Sequence, residues 1–323
     1  MLAGFLLTAV RNWTKRPMPS GWPLLGLVAL WLAGRVALQA GSPVVAAAID
    51  VPFLPLVALI ILRPIVAAAS WRNLAFPPLL LLMGAANLIM HLGGIGWAGG
   101  WANRGLDVAL DSVLLIIGIV GGRIVPLFTR NATGATVRPR TFVDGLALGC
   151  LTLLLLVDVL PLPAQLAAAV VLLAGITNLW RMRGWATASA LRRPILAVLH
   201  AGYFWLGAGL VAEGLARLTA VLPLTLAIHL QTVGAIGTLT LGMLTRVALG
   251  HTGRKLEINP MITVAYATIT AATIVRSLGP LAVPGATFWS LVISSVLWGL
   301  SFLLYLFVYV PILTRPRADG EPG

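Results

Sequence analysis

Residues 229–254 read HLQTVGAIGTLTLGMLTRVALGHTGR, a membrane-length apolar run with a histidine at each end. The 22 positions that separate His229 from His251 correspond to about 33 Å of α-helix. A bilayer core is about 30 Å thick and needs about 20 apolar residues per helix. The stretch therefore predicts one transmembrane helix whose two histidines lie at opposite membrane faces and cannot bind the same metal ion.

The composition of the whole chain is that of a membrane protein. Hydrophobic residues make up 59% and charged residues 10% of its 323 positions, whereas a soluble domain is about half apolar and about one quarter charged. Apolar runs of spanning length recur between short clusters of Arg, Pro and Gly. We therefore predict an all-α, polytopic transmembrane bundle with ten full helices, at residues 22–40, 46–68, 74–93, 105–126, 142–160, 163–182, 195–215, 224–248, 260–278 and 286–311.

The connections are too short for a soluble domain, so residues 1–312 are predicted to form a single transmembrane domain. Residues 313–323 are predicted to be a disordered tail. The N-terminal run MLAGFLLTAV is apolar for only ten residues, which is too short to cross the membrane. We expect it to be the inner half of a helix whose outer half precedes residue 1.

The net charge of +13 arises from basic clusters at alternate connections between the predicted helices. Cytoplasmic loops retain Lys and Arg, so these connections and the C-terminus are predicted to be cytoplasmic. This bias accounts for the charge, and no nucleic-acid partner is predicted. The lone Cys150 excludes an intrachain disulfide and a thiolate metal cluster.

The predicted orientation places the four histidines at two levels. His91 and His229 lie near the outer face, and His200 and His251 lie near the inner face. Neutral imidazole is the commonest metal ligand, so all four are candidate cofactor ligands, with His91 and His229 as candidate metal ligands. Asn87, four residues before His91, is expected to orient the ring of that histidine. The alternative for each histidine is an interfacial or loop position with hydrogen bonds to water or headgroups.

The two sides of the 229–251 helix differ in character. At about 100° per residue, one side is a stripe of small residues that lets membrane helices approach closely. The opposite side carries imidazole, hydroxyl and thioether groups. The packing stripe comprises Gly234, Thr238, Gly242 and Thr245, and the polar side comprises His229, Thr232, Thr240 and Met243.

Several charged residues are candidates for specific contacts. Arginines near the inner face could bind an anionic group such as a haem propionate, although the cytoplasmic bias alone also explains them. Arg35 is inside a predicted helix and is expected to pair with one of the outward acidic residues. No paired-carboxylate, nucleophile-elbow, phosphate-loop or dinucleotide motif is present. The candidate anion contacts are Arg246, Arg254, Arg123 and Arg130, and the acidic candidates are Asp50, Asp107, Asp111, Asp158 and Glu213.

Several stretches of the chain resemble the NnrS family, from residue 3 to about residue 312. They are GFLLTAVRNWTKRPMPSGWPLL, NLIMHLGGIG, GGRIVPLFTRNA, LHAGYFWLGAGL and HLQTVGAIGTLTLGMLTRVALGHTGR. The resemblance implies a bacterial inner-membrane protein that contains haem and copper and is associated with denitrification and the response to nitric oxide. Twelve transmembrane helices are expected in complete members.

Two departures from the family pattern bear on the predicted site. Arg11 stands where family members have proline. Family members also have a further helix with a His-Glu motif upstream of GFLLTAV. We expect that upstream histidine to join His91 and His229 in the outer site of complete members.

The resemblance makes b-type haem the expected cofactor and copper a second candidate. Nitric oxide or another nitrogen oxide is the expected small-molecule partner, and no redox partner is indicated. Redox chemistry, metal protection and sensing all remain open, so enzymatic activity is not assigned. Two alternatives are a secondary transporter without metals, whose polar faces line a substrate path, and a metal-free scaffold for other membrane enzymes.

Overall fold

The computed structural model describes residues 2–97, 99–160, 162–219, 221–283 and 285–320. Within these ranges the regular structure is helical and no strand is formed, which confirms the predicted all-α class. The chain divides into two compact units, Met1–Ile116 with Asp158–Pro161, and Ile117–Val157 with Leu162–Gly323.

The first unit contains short and long helices that pack against one another. Helix α4 packs along α5, α2 packs against α3, and α1 packs against α4. Helix α6 begins in this unit and continues into the second. The helices are α1 (Leu2–Thr14), α2 (Trp22–Ala40), α3 (Pro43–Asp50), α4 (Phe53–Ala67), α5 (Phe76–Gly94) and α6 (Trp101–Thr133).

Helix α1 is too short to span a membrane, as predicted, yet it is packed into the first unit. Leu6 and Val10 are fully buried. Trp13 stacks on Phe76 with 5.3 Å between the ring centroids. The apolar residues of α1 therefore serve helix packing at this position.

The predicted helix at 46–68 is interrupted. Helix α3 ends at Asp50 and α4 begins at Phe53, with Val51 and Pro52 between them. Proline has no backbone N–H and cannot continue a helical hydrogen-bond ladder. The break leaves Asp50 at a helix end, where its side chain turns into the unit and is buried.

The second unit is organised around α10, which packs along α8 and against the helices of the 224–251 segment. Helix α7 lies beside α8, and α13 packs along α14. Thr187–Ala190 forms the short helix α9. The other helices are α7 (Thr141–Val157), α8 (Ala164–Arg181), α10 (Pro194–Thr219), α11 (Leu224–His229), α12 (Thr238–His251), α13 (Pro260–Ala282) and α14 (Thr287–Leu313).

The segment at 224–248 spans as predicted but is not a uniform α-helix. Residues Leu230–Gly237 form a π-helix between α11 and α12. The predicted packing stripe is confirmed, since all four of its residues are buried. A Cβ at Gly234 would lie 2.9 Å from Cβ of Trp205, and one at Gly242 would lie 2.8 Å from Cγ1 of Val198. These small residues allow α10 to approach closely.

Nine of the ten predicted spans are found in the described residues as helical segments long and apolar enough to cross a membrane. The tenth, predicted at 142–160, forms the shorter apolar helix Thr141–Val157. The bounds differ most at α6, which extends over Trp101–Thr133 where 105–126 was predicted. The chain is thus a multi-pass membrane protein, and its single transmembrane domain stays a prediction.

The segment after α14 makes contacts near the end of α12. Arg317 Nη1 donates to the carbonyl of His251 over 3.2 Å, and Ala318 N donates to the carbonyl of Thr252 over 2.9 Å. Arg317 also pairs with Asp319 at 2.6 Å. These residues belong to the predicted tail at 313–323.

Candidate functional site

His91, near the end of α5, contacts a buried carboxylate from another helix. Its Nε2 atom lies 3.3 Å from Oδ2 of Asp50. The side chains of His91 and Asp50 are only 10% and 7% exposed. Because a buried carboxylate is stable only when it is paired, the other partners of Asp50 decide whether this contact can persist.

Asp50 has two further partners in the first unit. Arg35 forms an ion pair with Oδ1, which confirms the predicted pairing of Arg35 with an outward acidic residue. Asn87 Nδ2 donates to Oδ2 over 2.9 Å. Asn87 and His91 bind the same oxygen of Asp50, so Asn87 would orient the imidazole through that carboxylate.

A glycine makes room for this arrangement. A Cβ at Gly34 in α2 would lie 2.8 Å from Oδ1 of Asp50 and 3.3 Å from its Cα. Real side chains do not tolerate such distances, so α2 and α3 can approach this closely only with glycine at position 34. The close approach brings Arg35 within reach of Asp50.

His200 is 1% exposed and uses both ring nitrogens within the second unit. Its Nε2 atom lies 2.9 Å from Oγ1 of Thr129, and its Nδ1 atom lies 3.1 Å from Oγ1 of Thr187. Trp185 contacts the ring edge-on, with 6.2 Å between the centroids. A metal ion could bind His200 only if one of these hydrogen bonds broke, and its role as a cofactor ligand stays a prediction.

A charged network that the sequence did not predict lies close to His200 along α10. Arg181 pairs with Asp144, and its Nη1 donates to the carbonyl of Gly118 over 2.7 Å and to the hydroxyl of Tyr203 over 3.0 Å. Tyr203 in turn donates to Oδ1 of Asn178 over 2.7 Å. Each polar group is satisfied, so the network is a structural feature of the second unit.

One signal in the sequence could have revealed this pair. Asp144 begins an apolar segment at the face where arginines accumulate, and Arg181 ends the next segment at the same face. An acid and a base at one level of adjacent membrane helices are expected to pair.

His229 is half-buried and ends α11. The backbone of Thr225 forms a hydrogen bond with its ring, and the positive charge of Arg276 lies nearby. His229 belongs to the second unit and His91 to the first. The outer site that joins these two histidines stays a prediction.

His251 is the last residue of α12 and is exposed, as expected for a histidine beside a loop. Beside it, the end of α12, the start of α13 and the end of α14 enclose a cavity of about 500 Å³. The polar side chains of this cavity come from Arg254, Lys255, Glu257 and Asn259, and Tyr309 lies at its wall. The cavity brings together the two cationic side chains of Arg254 and Lys255, which would suit an anion, and the carboxylate of Glu257.

Arg246 differs from the other candidate arginines. Its Cζ atom lies 3.7 Å from the ring centroid of Phe128. Its Nη1 atom is buried and has no hydrogen-bond partner within the part of the chain that the structure describes. Arg123 is half-buried and Arg130 is exposed on α6. Of the four predicted anion contacts, Arg246 is the one with unused hydrogen-bonding capacity in the interior.

Among the described residues, no group of three or more His, Cys, Asp or Glu side chains is placed to hold a metal ion. The donors that the structure does bring together are His91 and Asp50. They form the best-defined candidate site, because the imidazole is buried and held by a carboxylate.

Comparison with known proteins gives one family. The family model described as NnrS protein matches residues 1–317, almost the whole chain. No curated protein and no solved structure matches the chain. The chain belongs to the NnrS family.

Proposed function

We propose that this protein binds b-type haem at the membrane through His91 and acts in the response to nitric oxide or in denitrification. The observation that carries the proposal is the contact of His91 with Asp50. Membership of the NnrS family supports the proposed nitrogen-oxide role, because the resemblance to that family implies it.

His91 would hold the iron of a bound haem, with Asp50 as the partner of its second ring nitrogen. Metal-ligating histidines usually bond a carboxylate, carbonyl or water through the second ring nitrogen, which sets the tautomer and the orientation of the ring. In His91 the carboxylate of Asp50 engages Nε2. Nδ1 makes no hydrogen bond to any described residue and is the nitrogen that would bind iron.

Arg35 and Asn87 support the same role. The guanidinium of Arg35 neutralises Asp50, and the amide of Asn87 donates to the oxygen that faces His91. Together they favour an Asp50 carboxylate that can accept a hydrogen bond from Nε2 of His91, in the tautomer that leaves the lone pair of Nδ1 free. When bound, haem supplies an iron atom that takes nitric oxide as a ligand and exchanges one electron.

Copper is a second proposed cofactor, although the fit is less complete. A copper site needs several nitrogen or sulfur donors, and within each unit the described residues bring together fewer than three candidate ligands. His229 is the candidate in the second unit because it is half-buried and in a polar helix face. Copper binding by His229 stays a prediction.

Arg246 is proposed as a contact for an anionic group in the second unit. Its buried Nη1 donor lacks a partner among the described residues, and a carboxylate or a nitrogen oxyanion would satisfy it. We propose the cavity beside Arg254 and Lys255 as a second anion contact, nearer the surface.

We also propose that the protein lies in the bacterial inner membrane, with this cavity and the C-terminus on the cytoplasmic side. The distribution of Lys and Arg supports this orientation.

The proposal is tested by the haem content of the purified protein. The wild type, His91→Ala and His251→Ala are expressed with a haem supply, and haem is measured per polypeptide by the pyridine haemochrome spectrum. We expect haem in the wild type and in His251→Ala, which changes an exposed histidine, and at least about a tenfold loss in His91→Ala. Haem-free wild type, or equal content in His91→Ala, contradicts the proposal.

A further inference from the structure

The face of α14 that is buried in the second unit is polar, and its outward face is apolar. Phe307 on the outward side is 73% exposed. The distance along the helix from its first to its last buried polar residue is about 28 Å, close to the thickness of a bilayer core. The buried residues of α14 are Ser290, Ser294, Ser301, Tyr305 and Tyr309.

Helix α13 and the 230–251 segment add buried polar residues at matching levels. A Cβ at Gly234 would lie 2.9 Å from Cγ2 of Thr273. At the other end, the hydroxyl of Thr245 approaches those of Tyr266 and Tyr309. We call the buried face of α14, together with these neighbours, the polar seam. Its members outside α14 are Gln231, Thr238, Thr245, Tyr266, Thr273 and Ser277.

Some hydroxyls of the polar seam are satisfied by their own helix. Thr245 donates to the carbonyl of Leu241 over 2.9 Å, and Thr273 donates to that of Ile269 over 2.9 Å. Ser and Thr commonly form such bonds in helices, and small residues favour close helix packing in lipid. Packing alone therefore explains these residues, and they carry no inference about a ligand.

Four other side chains of the polar seam are not satisfied in this way. The buried Oγ1 of Thr238, Oγ of Ser277 and Oε1 of Gln231 have no hydrogen-bond partner in the described ranges. The hydroxyl of Tyr266 approaches Thr245 but forms no hydrogen bond of good geometry. These four residues are between 0% and 6% exposed. Because unpaired polar groups in the membrane interior are costly, they indicate small hydrogen-bonding molecules along the polar seam.

Thr238 differs from Thr232 in the same segment. Thr232 donates to the carbonyl of Ile228, as a helical threonine normally does. Thr238 directly follows the π-helix Leu230–Gly237, and its hydroxyl has no hydrogen-bond partner among the described residues. That hydroxyl therefore remains available to another molecule. Such π-helical turns occur frequently at functional sites.

The two ends of the polar seam have the groups that a proton path needs. At one end, Glu213 accepts a hydrogen bond from Nε2 of Gln231 over 2.7 Å and one from Arg217 over 3.0 Å. At the other end, Tyr309 lies at the wall of the cavity beside Arg254 and Lys255. The carboxylate of Glu213 and the open cavity thus lie at opposite ends of this set of buried polar side chains.

We propose that the polar seam holds a chain of water molecules that conducts protons between Glu213 and the cavity at Tyr309. Each water or hydroxyl along it accepts one proton and donates another, so a proton that enters at one end is balanced by one that leaves at the other. No electron is transferred. The inference goes beyond the proposed function and requires neither haem nor copper.

The test is proton flux through liposomes that contain the purified full-length protein. A potassium gradient with valinomycin sets the membrane potential, and an enclosed pH-sensitive dye reports protons. Thr238→Val removes the hydroxyl without changing the size of the side chain, and Thr238→Ser keeps the hydroxyl. The control is Thr152→Val, at an exposed threonine of α7 whose hydroxyl bonds its own helix.

We expect wild-type flux above that of protein-free liposomes and a decrease of about tenfold in Thr238→Val, the effect of one lost hydrogen bond on a barrier. Thr238→Ser and Thr152→Val should conduct like the wild type. Thermal unfolding establishes that each variant is folded, and Ser277→Ala replaces Thr238→Val if that variant is not. Wild-type flux equal to that of empty liposomes, or equal flux in all folded variants, overturns the inference.

Discussion

The Nε2 atom of His91 lies 3.3 Å from Oδ2 of Asp50, although the two residues are 41 positions apart in the chain. Arg35 and Asn87 bind the same carboxylate. The imidazole is therefore held by a group that is itself held from two directions. This double support distinguishes His91 from the other three histidines.

Removing the charge of Asp50 should weaken haem binding without removing the histidine. Asp50→Asn changes the acceptor of His91 to an amide, and loss of such a partner typically lowers metal affinity by about 10- to 100-fold. Haem titration of the apoprotein measures the change. Asp319→Asn, in the segment after α14, is the matched control and should bind as the wild type does. Equal affinities in both variants would show that Asp50 does not position His91.

A side chain at position 34 should disturb the Asp50 cluster. Gly34→Ala places a methyl group 2.8 Å from Oδ1 of Asp50, and overpacking of this kind typically costs about 1–3 kcal/mol. Gly26→Ala in the same helix has open space around it and is the control. We expect a lower thermal unfolding temperature in detergent only for Gly34→Ala. If both variants have the same unfolding temperature, α2 and α3 do not approach each other as closely as described.

The Arg181–Asp144 pair should stabilise the second unit by preventing unpaired charge. Arg181→Met leaves Asp144 without its cation, and loss of one partner from a buried pair costs about 3–5 kcal/mol. The lower end is expected because Asp144 is 27% exposed. Adding Asp144→Leu should recover part of the loss, whereas Arg130→Met, at an exposed site, should cost little. The free energy of unfolding of the wild type, the two single variants and the double variant is measured in a denaturant series. A double variant that is less stable than Arg181→Met would refute the pairing.

His200 should affect stability more than haem content. His200→Phe removes the hydrogen bonds with Thr129 and Thr187, and each lost hydrogen bond costs about 0.5–1.5 kcal/mol. Haem per polypeptide should stay near the wild-type value in the folded fraction. A folded His200→Phe protein that has lost its haem would show that His200 is a haem ligand, as its position near the inner face predicts.

The membrane spans were predictable from the sequence because each requires a long apolar run, and the positions of Lys and Arg supported their number. The pairing of Arg35 with an acid was also predictable, since a charge inside a membrane helix needs a partner. Which acid it would be was not predictable. Asp50 was one of five candidates, and its contacts with Arg35, Asn87 and His91 join residues that are far apart in the chain.

The π-helix at Leu230–Gly237 is a second feature that periodicity could not predict. Its turns differ from α-helical turns by one residue per hydrogen bond, and the apolar pattern of the segment suits either form. The packing stripe was nevertheless predicted correctly, because Gly234, Gly242 and Thr245 face neighbours in both descriptions. Contacts between distant segments, such as Arg181 with Asp144, depend on the tertiary arrangement and were missed.

Binding of nitric oxide to a haem held by His91 is tested most directly by an optical titration. The purified protein is reduced under anaerobic conditions and titrated with nitric oxide while the Soret band is recorded. We predict a shift of the band that saturates at one nitric oxide per haem in the wild type and in His251→Ala, and no haem signal to titrate in His91→Ala. A wild-type protein without a Soret band, or a His91→Ala protein with the wild-type titration, would contradict the assignment.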